Sequence, residues 1–165
     1  WSDRGDGPGA PVAVHLPNSP VISTGKRDGS KIRLPNGNYL EETASYFVMV
    51  ETKTGGFTPA LITMKSTQLN VSKKWNSMMK TIQIPDGKGG FAIPPMHGVV
   101  YNLASTLQKN DKGSWYGWVV TQDRIMGQDD KALYLSAKEF AGNVSKGSVQ
   151  TKADVEEKVS DSTPY

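Results

Sequence analysis

Lysines surround a tryptophan in one stretch of this chain, and lysine ammonium groups are common ligands of phosphate. The stretch KSTQLNVSKKWNSMMK, from Lys65 to Lys80, contains four lysines and no acidic residue. A helix that stabilised itself would normally place opposite charges four residues apart. The pattern therefore favours a basic surface for a polyanion. The alternative is an ordinary amphipathic helix with one buried and one wet face.

Large aromatic residues are concentrated in a second stretch, KGSWYGW, where three of them occur within four residues. On a strand these side chains alternate, so both sheet faces carry one. Exposed aromatics stack nucleic-acid bases while lysines contact the phosphates. The alternative is that the rings fill two sides of a small barrel. We predict phosphate contacts from Lys65, Lys73, Lys74, Lys80 and Lys88, and base stacking from Trp75, Trp115, Tyr116 and Trp118, some of which must be core.

The charges of the chain are unevenly distributed. Residues 1–90 carry 11 cations and 7 anions, whereas residues 91–165 carry 8 cations and 9 anions. The absence of cysteine excludes disulfides and thiolate metal sites. No apolar run approaches the length of a membrane span. The chain begins at Trp1 rather than Met, which indicates a processed or truncated product.

The residue pattern gives little support for a catalytic function. His15 and His97 have no partner at metal-ligand spacing. The strings DGKGG and TGKRDG do not continue as GK[ST] into a helix, so a nucleotide-binding loop is not expected. Adjacent acids occur at Glu41–Glu42, Asp129–Asp130 and Glu156–Glu157, and such pairs usually mark solvated turns. We predict that the protein is not an enzyme and uses neither a metal nor another cofactor.

Two apolar runs, Tyr46–Val50 and Ala60–Met64, flank a Gly-Gly connection and predict a β-hairpin. Because the runs are nearly continuous, both strands are expected in the centre of the core. A helix is predicted from about Ser66 to Ile82, with Ser66 or Thr67 as its cap. Its apolar stripe contains Leu69, Ser72, Trp75, Met79 and Ile82.

A second hairpin is predicted from Val99–Leu107 and Ser114–Thr121, which flank the turn formers of QKNDKG. Gly117 stands between two bulky aromatics and indicates a bend or a close approach. A short strand, ALYLS, and a brief helix, AKEFAGNV, are expected next.

These elements predict a mainly β (α+β) fold. Two hairpins and the extra strand would form a small, OB-like, partly open barrel with one main helix near residues 66–82. We expect an irregular Gly/Pro-rich arm with one or two edge strands at residues 1–38, this core at residues 39–147 and a polar C-terminal tail at residues 148–165.

The segments TPALITMKSTQLNVSKKWNSMM and NDKGSWYGWVV resemble a family of bacteriophage proteins over about residues 39–122. Members of that family are sometimes labelled single-stranded DNA-binding proteins, and in them an N-terminal region precedes the matching start. The resemblance implies a phage origin and a mostly β, OB-like domain.

The predicted function is non-enzymatic binding of single-stranded DNA in phage replication or recombination, within the host cytoplasm. The C-terminal tail is a candidate for contacts with replication proteins, and a homo-oligomer is compatible with the sequence. The alternative is a structural or assembly protein of the virion, in which residues 1–38 would bind to neighbouring subunits. An enzyme acting on DNA is the third possibility.

Overall fold

The computed structural model describes residues 1–5, 11–29, 31–54, 56–111 and 113–149. The predicted C-terminal tail lies outside this part from residue 150 onward. In the described part the fold is mainly β, with four separate antiparallel sheets and a few helices. The predicted fold class is confirmed, because the sheets are open and fit a partly open barrel. The specific OB topology remains a prediction.

The N-terminal segment contains a five-stranded antiparallel sheet with the strand order β2-β1-β5-β4-β3. A one-turn helix, α1 (Pro20–Thr24), connects β2 to β3. The strands are β1 (Ser2–Arg4), β2 (Ala13–Val14), β3 (Lys26–Asp28), β4 (Lys31–Arg33) and β5 (Tyr39–Glu41). The expectation of an irregular arm with one or two edge strands was therefore wrong, because β1–β4 and α1 take up half of the described residues among 1–38.

A small apolar core lies on one side of this sheet. It consists of Ile32, Leu34 and Leu40, which are 8%, 5% and 0% exposed. The half-buried side chains of Trp1, Val21 and Ile22 pack against it. Alternation in the sequence KIRL explains the arrangement, since Ile32 and Leu34 point inward while Lys31 and Arg33 point outward.

The first predicted hairpin forms from β6 (Thr43–Glu51) and β7 (Phe57–Lys65). Met64 is fully buried on the face that also carries Tyr46, whereas Phe47 and Leu61 are exposed on the other face. The expectation that both strands lie in the centre of the core was therefore wrong. In the described part of the chain, the helix that follows β7 packs against the face that carries Tyr46. The apolar residues of the opposite face, including Phe47 and Leu61, therefore reach solvent.

The predicted helix is confirmed as a 3-10 turn at Ser66–Gln68 that leads into α2 (Leu69–Thr81). Ser72 and Trp75 are buried, as the predicted stripe requires. The predicted cap is wrong, because neither Ser66 nor Thr67 provides a side-chain capping bond. Ser66 instead adopts a left-handed conformation with φ of 52°, which turns the chain from β7 into the helix.

A short hairpin follows α2, with β8 (Ile84–Pro85) paired to β9 (Phe91–Ala92) around the Gly-rich turn. The second predicted hairpin is then confirmed as β10 (Val99–Asn110) and β11 (Gly113–Ile125). Its register is interrupted by a bulge between Val100 and Tyr101. Both strands are longer than predicted, β10 at the turn end as far as Asn110 and β11 mainly at the base as far as Ile125.

The last described element is α3 (Lys131–Ser145), a helix of 15 residues. The predicted strand ALYLS was wrong, because these residues form the first turns of α3. Leu133, Tyr134, Ala137 and Ala141 recur at helical spacing and are at least half-buried. Before the helix, the backbone N–H of Gly127 donates to Asp130 Oδ2 at 3.1 Å, which closes the turn that starts it.

Candidate nucleic-acid interface

Trp75 connects α2 to both long hairpins. Its ring centroid lies 4.4 Å from that of Tyr46 on β6 and 5.6 Å from that of Tyr101 on β10, the latter edge-on. Trp75 is only 6% exposed. This predicted stacking residue is therefore part of the core, where it holds the elements that carry the other candidates.

The Tyr46 hydroxyl adds polar contacts to the same junction. It lies 2.6 Å from Ser72 Oγ, and it is within donating distance of the Ser72 carbonyl oxygen and of Asn76 Oδ1, at 3.3 and 3.2 Å. All of these partners belong to α2. Tyr46 thus fixes the helix on the covered face of β6–β7 through both its ring and its hydroxyl.

The distal half of β10–β11 presents an exposed aromatic face. The pairs Leu107–Tyr116 and Ser105–Trp118 are directly opposed, so their side chains share one side of the hairpin. Tyr116 is 72% exposed, Leu107 61% and Trp118 37%. We call these three residues, together with Lys109, the aromatic face.

Lys109 was not among the predicted site residues. It is exposed and follows Leu107 by two positions, so the alternation of β10 places it on the aromatic face. The face thus pairs a cation with open rings, as a surface for stacked bases and their phosphates requires. The same alternation could have identified Lys109 from sequence, but the hairpin turn beside it obscured the strand's length.

Trp115 points to the opposite side of β11 and is half-buried. Its indole Nε1 is buried without a hydrogen-bond partner in the described part of the chain. The ring contributes to a shallow surface hollow of about 300 Å³. That hollow is lined by Ser66, Thr67, Asn110, Gly113, Ser114 and Trp115. Trp115 therefore cannot share a stacking surface with Tyr116 and Trp118.

Gly117 lies where β11 contacts Gln68, the residue directly before α2. A Cβ atom at this position would lie 2.5 Å from Gln108 Nε2 and 2.7 Å from Gln68 Nε2. The backbone N–H of Trp118 donates to Gln68 Oε1 at 3.0 Å. The predicted close approach at Gly117 is confirmed, and Gln68 joins the start of α2 to the backbone of β11 beside Gly117.

The predicted phosphate contacts on α2 are Lys73, Lys74 and Lys80, all exposed. No acidic residue occurs in α2, and no ion pair among the described residues involves these three lysines. Their positive charge is not neutralised within the described structure. Lys65 differs, because its Nζ lies 3.5 Å from Glu41 Oε2.

Lys88 is exposed in the β8–β9 turn, apart from the helix lysines in sequence. Its backbone N–H and that of Gly90 donate to Asp86 Oδ1 at 2.8 and 2.9 Å. These two backbone hydrogen bonds lower the pKa of the Asp86 carboxyl below its ordinary value. Asp86 thus shapes the turn that presents Lys88.

The histidines and acids that were considered for catalysis lie in separate places. His15 Nε2 is 3.6 Å from Asp3 Oδ2 in the N-terminal sheet, while the His97 ring contacts Tyr134 of α3 at 5.3 Å between centroids. Within the described ranges, no group of three or more metal-binding side chains is brought together. Of the helices described, none has the length and apolar character needed to cross a membrane.

Residues 1–150 match the family model of Pam3 phage gp34-like proteins. The chain belongs to this family and is therefore a phage protein, which confirms the phage origin implied by the sequence resemblance. The kinship with single-stranded DNA-binding proteins remains a prediction. Neither the curated proteins nor the solved structures contain a match to this chain.

Proposed function

We propose that this phage protein binds single-stranded DNA without catalysing a reaction on it, as part of replication or recombination. The observation that carries the proposal is the aromatic face, where Tyr116 is 72% and Trp118 37% exposed beside Leu107 and Lys109. Open rings on a strand are sequence-tolerant stacking platforms, typically worth about 1–3 kcal/mol for each stacked base.

Electrostatics provides the second part of the argument. Lys73, Lys74 and Lys80 are exposed on α2, and the described residues leave them without acidic partners. Gln68 joins the beginning of that helix to the backbone of β11, the strand that carries Tyr116 and Trp118. A strand that stacks its bases on the face would therefore have cations available for its phosphates on the adjoining helix, and its affinity would fall with added salt.

Fluorescence of the tryptophans during titration with a thirty-nucleotide oligo-dT tests the proposal. Trp118 is the most exposed tryptophan of the described chain, so stacking on it should quench emission, and the effect should weaken as salt rises. Tyr116→Ala should weaken binding. Phe91→Ala is the matched control, because Phe91 is equally exposed, at 71%, but lies on β9. Absence of quenching and of binding at low salt would contradict the proposal.

A virion structural or assembly role is the second candidate, and a different observation favours it. The edge strand β2 and its flanks expose Val12, Val14 and Leu16, which are 66%, 72% and 73% exposed. Phe47 and Leu61 lie exposed as a directly opposed pair on the outer face of β6–β7. Exposed apolar strands of this kind are association surfaces. This role predicts a concentration-dependent oligomer in sedimentation velocity and indifference to short DNA.

A further inference from the structure

The outer face of the N-terminal sheet carries a row of cations around one tyrosine. Strand register opposes Lys26 to Arg33, Arg33 to Tyr39 and Tyr39 to Arg4 across four neighbouring strands. Directly opposed residues of antiparallel strands project to the same side. The neighbouring register positions, Ile32 and Leu40, are buried on the other side. The row therefore faces away from the small core.

A second row lies beside the first on the same face. Asp28 is opposed to Lys31, and Lys31 to Glu41. Lys65 reaches the row from the end of β7 and contacts Glu41. We call this surface the basic face; it consists of the cations Arg4, Lys26, Lys31, Arg33 and Lys65, the ring of Tyr39, and the carboxylates Asp28 and Glu41. The set contains five cations and two carboxylates.

Tyr39 holds two of the cations in place. Lys31 Nζ lies 4.9 Å from the ring centroid and the guanidinium carbon of Arg33 lies 4.2 Å from it. Arg33 also donates to the Tyr39 hydroxyl and to the carbonyl oxygen of Gly37. Cation–ring contacts of this kind restrict long side chains without neutralising their charge. The charges of Lys31 and Arg33 are thus held in position by Tyr39.

Glu41 neutralises only one end of the basic face. Its side chain is 13% exposed and is shared by Arg4 Nε and Lys65 Nζ, each at 3.5 Å. At the other end, Lys26, Lys31 and Arg33 are exposed, and Asp28 lies 3.9 Å from Arg33 Nε. The uncompensated charge therefore lies around Lys26 and Lys31. Lys65 directly precedes the turn into α2, so the basic face adjoins the helix with the unpaired lysines.

We propose that the basic face is a second binding site for the phosphodiester backbone of the same single strand. This inference rests on the proposed function and extends it, because it adds the N-terminal sheet to a site assigned so far to α2 and β10–β11. Exposed cations such as Lys26 and Lys31, placed on one sheet face, bind phosphates by releasing counterions, without reading sequence. The strand would continue from the lysines of α2 past Lys65 onto Lys26 and Lys31.

The test replaces Lys26 and Lys31 together by glutamine, which removes two charges and keeps unbranched, polar side chains of slightly smaller length. The matched control is Lys131→Gln with Lys146→Gln, which removes two exposed lysines of the α3 region. Binding of the thirty-nucleotide oligo-dT is measured at several salt concentrations. Because each phosphate contact to a single strand contributes about 0.7 to the slope of log affinity against log salt, the test pair should flatten that slope by about 1.4. The control pair should leave it unchanged.

The outcomes separate the two proposals. If the unaltered protein fails to bind at low salt, the proposed function itself is wrong. If it binds and the Lys26 and Lys31 variant has the same slope as the control pair, the basic face is not a contact and only this inference fails. Lys26→Arg with Lys31→Arg retains the charges and should restore the full slope. A variant that stays weak after this exchange would indicate a structural effect and would also overturn the inference.

Discussion

The rings of Tyr46 and Trp75 lie 4.4 Å apart between centroids, tilted by 33°, and through them β6 is fastened to α2. Tyr101 contacts the other side of this junction from β10. The described long hairpins are separate two-stranded sheets, and an isolated hairpin is only marginally stable in water. The helix with its buried tryptophan therefore provides the packing that stabilises both.

Replacing Trp75 by alanine should destabilise the protein severely. The buried ring leaves a large cavity between two hairpins, and truncations of this kind cost about 3–5 kcal/mol of unfolding free energy. Urea denaturation followed by far-ultraviolet circular dichroism measures the loss. The neighbouring Lys74→Ala is the control, since Lys74 is exposed and should change stability by no more than about 0.5 kcal/mol. Equal stability of both variants would show that Trp75 does not hold the hairpins.

Gly117→Ala should destabilise the protein more than its small size suggests. The new Cβ would displace the amides of Gln68 and Gln108, and Gln68 would then lose its bond with the Trp118 N–H. The loss of that bond and the crowding together should lower the free energy of unfolding by about 1–3 kcal/mol. Thermal unfolding measures the effect. Gly127→Ala is the control, because a Cβ at Gly127 meets no atom within 4 Å and its φ of −108° suits any residue.

Gly142→Ala should stabilise the protein. Gly142 lies inside α3, where glycine has a poor helix propensity, and a Cβ there meets nothing within 4 Å. Alanine is favoured over glycine in a helix by about 0.5–1 kcal/mol. The midpoint of thermal unfolding should therefore rise. A lowered midpoint would contradict this prediction.

Lys73→Ala combined with Lys74→Ala should weaken DNA binding without lowering the stability of the protein. Both side chains are exposed and unpaired among the described residues, so the urea midpoint should hardly move. Binding to oligo-dT should lose salt dependence, with a slope smaller by about 1.4 for two phosphate contacts. An unchanged slope would mean that Lys73 and Lys74 do not contact phosphates and that α2 is an ordinary solvent-exposed helix.

Local patterns predicted the elements whose signals are long. Both long hairpins formed as expected because turn-forming residues separate their apolar runs, and α2 formed because its apolar residues recur at helical spacing. The N-terminal sheet was missed because its strands have two or three residues, too few to show alternation. Its pairing is also distant in sequence, since Ser2 is opposed to Glu41. The segment ALYLS was misassigned because a short apolar run fits a strand and a helix turn equally well.

The candidate site was predictable in its residue types but not in its exposure. Alternation correctly separated Trp115 from Tyr116 and Trp118, yet it could not say which face of the hairpin a helix would cover. Trp75 lay on the predicted apolar stripe of the helix, and it is buried as the other residues of such a stripe are, despite the lysines beside it in sequence. The basic face depends on the register of four short strands, so its cations come together only in the folded sheet.

His97 should make the stability of the protein depend on pH below neutrality. Burial, with a smaller contribution from the charge of Lys138, lowers the pKa of His97 below its ordinary value of 6.5. Its Nε2 is buried without a partner in the described structure, beside the ring of Tyr134. Above pH 6.5 the imidazole is neutral in both states, and stability is complete. As the pH falls below 6.5, the unfolded chain takes up the proton first, so stability decreases until the lower folded-state pKa is passed.

Urea midpoints measured between pH 7.5 and pH 4.5 test this dependence against His97→Gln, which cannot titrate. The variant should lose less stability than the parent over that range, whatever its stability at pH 7.5. Lys138→Gln should have a smaller effect in the same direction, because removing the nearby cation raises the pKa of His97 toward its ordinary value. Parallel pH profiles for the parent and His97→Gln would mean that the imidazole is solvated in the folded protein.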